Sequence, residues 1–215
     1  VRDGQVPQAR IDDMVARILT SLIDVGALDA ESNDDRTQPI DFSHHKLLAQ
    51  RQAEEGIVLL TNRNATLPLP QRLPKLLIVG EHADHGVLCG GGSSAVTPIG
   101  SLQLPGTSIM GMDVAKVVQP SSLVTAIREE SAAGDVVFVD GTDRQQVLDE
   151  ARKADAVIVF AQEWRSEGLD AVGLALPDDQ DALIEAIAGV NPATIVVIQS
   201  GGPVTMPWRD SVAAI

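Results

Sequence analysis

The 215-residue sequence has no tyrosine, three phenylalanines and two tryptophans, so its core has to be assembled from Ala, Val, Ile and Leu. A core without large rings favours tight packing of helices on a sheet. Cysteine is nearly absent as well, with Cys89 standing alone. A single thiol excludes an internal disulfide and any CxxC metal pair, and it leaves the redox compartment undecided. Basic residues are outnumbered, 16 against 30 acidic, for a formal charge of −14. That sign repels phosphate backbones and anionic lipid at long range, which excludes nucleic acid and a membrane surface as expected partners. No apolar run approaches the roughly 18–20 residues that a membrane span requires. The opening VRDGQVPQARIDD also lacks the apolar h-region of a signal peptide. If the protein is exported, the signal is expected upstream of Val1. The chain itself is expected to be a segment, because Val1 is not a start Met and SVAAI stops in mid-pattern.

What is present is enough for one or two domains, since 44% hydrophobic residues over this length supply a proper core. Ile11, Met14, Val15, Ile18, Leu19, Leu22 and Ile23 recur with helical spacing, which predicts an amphipathic helix over 9–25 ended near Gly26. The polar ESNDDRTQP reads as a linker or exposed crossing closed by Pro39. FSHHKLLAQRQAEEGIVLL predicts a helix capped by Ser43 that runs to about Glu55, then a short strand at 57–60. Four Val- and Ile-rich runs follow, KLLIVG (75–80), DVVFVD (135–140), DAVIVFA (155–161) and ATIVVIQS (193–200). Without polar alternation they suit strands buried on both faces of a parallel sheet. Helical patterns at 121–130, 144–154 and 178–190 alternate with them, so the predicted fold is an α/β doubly wound sheet with right-handed crossovers. Ligands of such sheets sit at the carboxyl ends of the strands.

Those strand ends carry the candidate sites. GEHADHGVLCGGGSSAVTP (80–98) has Gly90, Gly91 and Gly92 to free the backbone, and Ser93 and Ser94 to donate to a polar ligand. It lacks both GxGxxG and a Walker lysine, which argues against a phosphate cradle. His82, Asp84, His85 and Cys89 are all zinc-capable, but they crowd one loop with no second cluster, and no metal is expected. His44 and His45 read as a surface pair. SGGPVTMPW (200–208) reads either as a ligand-positioning turn or, preferred here, as a structural turn that lets the sheet edge and a following helix approach closely.

The connection from Gln162 to Pro177 is the unusual one. It spans about sixteen residues where strand-to-helix loops usually take about 2–6. Within it stand Glu163, Trp164, Glu167 and Asp170, a group that reads either as a solvated charged loop or as an acid waiting for a substrate. A proton donor near neutral pH needs a raised pKa, from apolar cover or a like charge. Trp164 can supply the first, Glu163 and Asp170 the second. Gly168 lets the Glu167 carboxyl turn out of the loop.

Several motifs in one order carry a resemblance: IDDMVARIL, HHKLLAQRQAEEGIVLLTN, TLPLP, LLIVGEHAD, GGGSS, ADAVIVFAQEW with the following EG and D, and NP through TIVVIQSGGPV to MPW. In this order they are similar to glycoside hydrolase family 3, the β-glucosidase and exo-glucanase group, over the whole chain. The resemblance implies an upstream (β/α)8-type barrel that carries an aspartate nucleophile, followed by an α/β sandwich that lends an acid/base glutamate. Residues 1–26 would be the last barrel helix, 27–74 the crossing and entry to the second domain, and 75–215 a sandwich that is C-terminally incomplete. The family's E-G-x-D pattern falls on Glu167 and Asp170, with Glu163 as second choice. Trp164, Ser166, Asp170, Gly91, Gly92 and Ser93 would shape the substrate side.

The implied chemistry is retaining hydrolysis of terminal β-linked glucose from glucosides or short gluco-oligosaccharides, without cofactor. Two carboxyls act about 5–5.5 Å apart, and only one of them belongs to this segment. The segment alone is therefore expected to be inactive, and the whole protein periplasmic or secreted. Where the family pattern continues with arginine, this chain has Ala171. That departure keeps a second reading open, a non-catalytic carbohydrate-binding or assembly module of the same fold.

Overall fold

The computed structural model describes residues 1–29, 39–70, 72–109, 112–131 and 133–215. The chain divides into two compact units, Val1–Ile57 and Val58–Ile215. In the first, α1 (Gln8–Asp24) follows the predicted apolar stripe, and that stripe lies exposed along Met14, Val15, Ile18, Leu19, Leu22 and Ile23. The second helix, α2 (Phe42–Gly56), is capped by Asp41, whose carboxylate accepts from His44 N at 2.9 Å. Ser43 was the expected cap. A carboxylate reaching the third amide of the helix also meets its positive end, which is the better use of that position. His44 and His45 are both exposed, with ring centroids 6.2 Å apart. Of the polar stretch read as a linker, all but Pro39 lies outside the described residues.

The second unit is built on four parallel strands, β1 (Lys75–Val79), β5 (Asp135–Val139), β6 (Ala156–Glu163) and β7 (Thr194–Ser200), in the order β5-β1-β6-β7. Side chains alternate between the two faces as the two-residue period of a strand requires. Leu77, Val79, Val157, Val159 and Ala161 turn to one face, where they meet Val147 of α4 (Arg144–Ala151) and Ile184 and Ile187 of α5 (Gln180–Val190). Leu76, Ile78, Ile158 and Phe160 turn to the other, where Leu123, Val124 and Ile127 of α3 (Leu123–Glu130) cover them. Burial on both faces is why these strands read as unbroken apolar runs.

Beside this α/β sandwich lies a small antiparallel sheet made of β2 (Val87–Leu88), β3 (Leu102–Ile109) and β4 (Met112–Gln119), in the order β2-β4-β3. Its long hairpin is absent from the sequence reading. Pro105 and Gly106 interrupt the pattern of β3, and the register shifts between Leu104 and Thr107, as a bulge at Pro and Gly produces.

The strand expected at 57–60 does not form as such. Leu60 and Thr61 instead donate to the carbonyl of Ile215 at 2.8 and 3.3 Å, while Ala213 and Ala214 bond to Thr194 and Val196 of β7. The pairing partner of this segment is thus the far end of the chain. Close by, Trp208 is 1% exposed and donates its indole N–H to Asp181 Oδ1 at 2.6 Å.

Candidate active site

Strand β6 runs through Glu163, two residues beyond the predicted end, so the long connection to α5 is 164–179. The extension settles the place of Glu163. Its side chain is only 9% exposed, Ser200 Oγ donates to Oε2 at 2.6 Å, and Arg165 Nη2 lies 2.7 Å from Oε1. A carboxylate so occupied anchors the loop and is not free to meet a substrate. The Gly201 and Gly202 turn at the end of β7 leaves room for that arginine: a Cβ on Gly201 would stand 3.1 Å from Arg165 Cβ. The neighbour at this turn is the Arg165 side chain, where the sequence reading expected a following helix.

The glycine loop and the Glu167 loop are joined by backbone. Gly91 N donates to Arg165 O at 2.9 Å, Glu167 N to Gly91 O at 3.4 Å, and Gly91 and Ser166 form a parallel bridge. The requirement for glycine is steric. A Cβ on Gly91 would fall 2.5 Å from Ser166 Oγ and 2.6 Å from Trp164 Cζ2, and one on Gly92 would fall 2.5 Å from Glu167 Cβ. Gly92 also has φ +76°, in the left-handed region. Ser94 Oγ closes the turn by donating to Gly91 O at 3.1 Å.

Glu167 stands exposed at this seam, and Ser93 N donates to its Oε2 at 2.8 Å. The contact with Ser93 holds the Glu167 carboxyl below the ordinary 4.5, which outweighs a small opposing effect of desolvation. That reverses the raised pKa expected from Trp164, Glu163 and Asp170. The charge of Glu163 is matched by Arg165, and the Trp164 ring lies against Gly91 with Lys116 Nζ 5.5 Å from its centroid. Asp170 is exposed farther along the loop.

A cleft of about 850 Å³ opens at the carboxyl ends of β1, β5 and β6. The connection leaving β1 passes to the α3 face, while those leaving β5 and β6 pass to the α4 and α5 face, so the cleft lies at the switch point of the sheet. Trp164, Ser166 and Asp170 line it together with Glu163, Arg165 and Lys116, whereas Glu167, Gly91, Gly92 and Ser93 are not among its walls. The predicted residues therefore form two adjoining groups, the seam and the cleft. His82, with φ 62°, sits on the cleft wall beside Glu81. His85 pairs with Asp84, and Cys89 is buried with its thiol on Ser94 O. Among the described residues no three His, Cys, Asp or Glu side chains converge on a common point.

Arg165, Ser200 and Lys116 escaped the sequence reading. Lys116 lies on the unread strand β4, and Ser200 is brought to Glu163 only by the pairing of β6 with β7. Arg165 stood in plain view inside EWRSEG, where Ala171 offers no guanidinium.

The sequence matches the description "Glycosyl hydrolase family 3 C-terminal domain" across residues 57–215. It is 30% identical to thermostable beta-glucosidase B of Acetivibrio thermocellus over 234 residues, covering all of this chain and 27% of that protein. It is 28% identical to an exo-alpha-(1->6)-L-arabinopyranosidase of Bifidobacterium breve over 230 residues, again over all of this chain and 28% of the relative. The crystal structure of beta-glucosidase D2-BGL from Chaetomella raphigera superposes with a TM-score of 0.69 at 27% identity, covering all of this chain and 32% of that one. The chain thus spans less than a third of the length of these relatives. A doubly wound sheet, a glycine loop bonded to an acidic loop at its strand ends and a family match through residues 57–215 lead to one conclusion: the chain belongs to glycosyl hydrolase family 3 and carries its C-terminal domain.

Proposed function

We propose that this chain is part of a retaining β-glucosidase in which Glu167 is the general acid/base and the nucleophile comes from an upstream barrel domain. The observation that carries the reading is the seam itself: the carboxyl of Glu167 is exposed, fixed in direction by Ser93 N at 2.8 Å, and bonded through its own backbone to Gly91. A group that must hand over a proton and take one back needs both access and a fixed direction. The exposed apolar stripe of α1 supports the upstream domain, because a helix with an uncovered face of this kind is built to pack on something.

The lowered pKa fits the second half of the reaction, in which a carboxylate takes a proton from water. For the first half the carboxyl has to be protonated, and a nucleophile carboxylate at about 5–5.5 Å supplies the like charge that raises it. Trp164, Ser166 and Asp170 on the adjoining cleft, with Gly91, Gly92 and Ser93 at the seam, would frame the aglycone. Terminal β-linked glucose is the proposed substrate group by similarity to the β-glucosidases. The arabinopyranosidase relative makes aryl α-L-arabinopyranoside the necessary comparison in any substrate panel. An exported location goes with this reading.

The test is Glu167→Gln in the full-length protein. Hydrolysis of glucosides with poor leaving groups should fall by roughly 10²–10⁴-fold, while dinitrophenyl glucoside, whose leaving group needs no proton, keeps its rate of glycosyl transfer to the enzyme. Wild-type rates on both substrates would sink the assignment. They would also favour the rival module reading, in which Glu167 is an exposed surface carboxylate beside the Trp164 cleft.

A further inference from the structure

Arg165 is joined to the seam through its carbonyl, which accepts from Gly91 N at 2.9 Å, yet lies outside the E-G-x-D pattern. Its guanidinium is mostly buried, with Nη2 2.7 Å from Glu163 Oε1. Apart from this charge contact, Nε and Nη2 have no hydrogen-bond partner among the described residues. Glu163 in turn accepts from Ser200 Oγ at 2.6 Å, and Ser200 Oγ accepts from Gly202 N at 3.2 Å, so the arginine is tied through Glu163 to the ends of both β6 and β7. The Gly201 and Gly202 turn leaves space that the arginine fills, with Cβ positions 3.1 to 3.7 Å from its atoms. From this fixed side chain the backbone carbonyl of Arg165 receives Gly91 N at 2.9 Å, and Gly91 O receives Glu167 N. Side chain and carbonyl thus couple the rigid sheet to the glycine loop, and the glycine loop to Glu167.

We propose that Arg165, held by Glu163, which Ser200 holds in turn, is the positioning residue that keeps Glu167 in register with the glycine loop. The proposal rests on Glu167 being the acid/base. Arg165 lines the cleft beside Glu163, but its guanidinium is turned onto that carboxylate, and its role is to set where the Glu167 carboxyl stands when a leaving oxygen arrives. Losing it lets the 164–168 backbone drift from Gly91, and a displacement near 1 Å is enough to cost on the order of 10²-fold in a proton-transfer step.

The experiment uses the full-length protein with Arg165→Ala, Arg165→Lys, Glu163→Gln and Glu167→Gln, and Arg152→Ala, exposed just past the end of α4, as control. Arg165→Ala should lower kcat on poor leaving groups by on the order of 10–100-fold and spare glycosyl transfer from dinitrophenyl glucoside, with KM little changed. Added guanidinium should restore part of the loss, Arg165→Lys should fall between, and Arg165→Ala should add little to Glu167→Gln in the double variant. If Arg165→Ala does not fold, Arg165→Lys and Glu163→Gln carry the same comparison. An equal loss on both substrates, or no loss, overturns the positioning role while Glu167→Gln keeps its leaving-group signature. If Glu167→Gln itself lacks that signature, the acid/base reading fails first and the positioning role fails with it.

Discussion

Gly91→Ala tests the seam by sterics alone. Gly91 has φ −88° and ψ 173°, an ordinary extended conformation, so no backbone penalty confuses the result. The added methyl would lie 2.6 Å from Trp164 Cζ2 and 2.5 Å from Ser166 Oγ, about 1 Å inside a comfortable carbon contact of about 3.5–4.0 Å. Two routes relieve the clash. Keeping the loops joined stores overpacking strain of about 1–3 kcal/mol. Letting them part forfeits the two backbone bonds of Gly91, each with a net worth of about 1 kcal/mol. The second route, about 2 kcal/mol in all, matches the middle of the first route's range, so the seam is expected to open in a substantial share of molecules while the sheet stays folded.

Amide exchange of Glu167 should then accelerate by about tenfold, the factor that corresponds to about 1.4 kcal/mol. The emission of Trp164 should shift while that of buried Trp208 does not, with a Trp164→Phe background to separate the two. Gly173→Ala is the matched control, since a Cβ there meets nothing within 4 Å. A Gly91→Ala variant that keeps the Glu167 amide protected and the Trp164 spectrum unchanged would refute the steric account of why glycine stands there.

Two further outcomes follow from the same structure. Lys153 and Lys75, each 2.7 Å from Glu150, push its carboxyl from 4.5 down to about 2. A depressed folded pKa adds stability that is fully present above 4.5 and lost as pH falls through about 2. Urea midpoints measured across that window should therefore fall more steeply for the native chain than for Glu150→Gln, and parallel curves would disprove the contribution. Asn191 is 5% exposed and bonds Ala151 O, Ala154 O and Ala193 N at 2.8 to 2.9 Å. Asn191→Ala strands Ala154 O and Ala193 N, while Ala151 O keeps Ala154 N at 3.3 Å, and should cost about 2–4 kcal/mol in urea unfolding; a change within about 0.5 kcal/mol, typical of a surface site, would show the groups to be satisfied otherwise.

The four parallel strands were legible because burial on both faces leaves an unbroken apolar run, a signal that belongs to each segment alone. The hairpin of β3 and β4 was not, because Pro105 and Gly106 break its local pattern and only the bulged pairing with β4 makes it a strand. The Leu60 region depends on Ile215 in the same way. Long-range pairing has no short-range signature.

The site divides along that line. The long acidic loop and the glycine run with Ser93 show in the letters, while the choice of Glu167 over Glu163 came from the resemblance to the family's E-G-x-D pattern. Which glutamate is free and which is tied was decided by the fold. Glu163 and Glu167 differ little as sequence, but the pairing of β6 with β7 sets Ser200 and Arg165 on the first, while the approach of the glycine loop sets Ser93 N on the second. The direction of a carboxyl's pKa depends on the few atoms within hydrogen-bond reach, and only the folded chain determines which atoms those are.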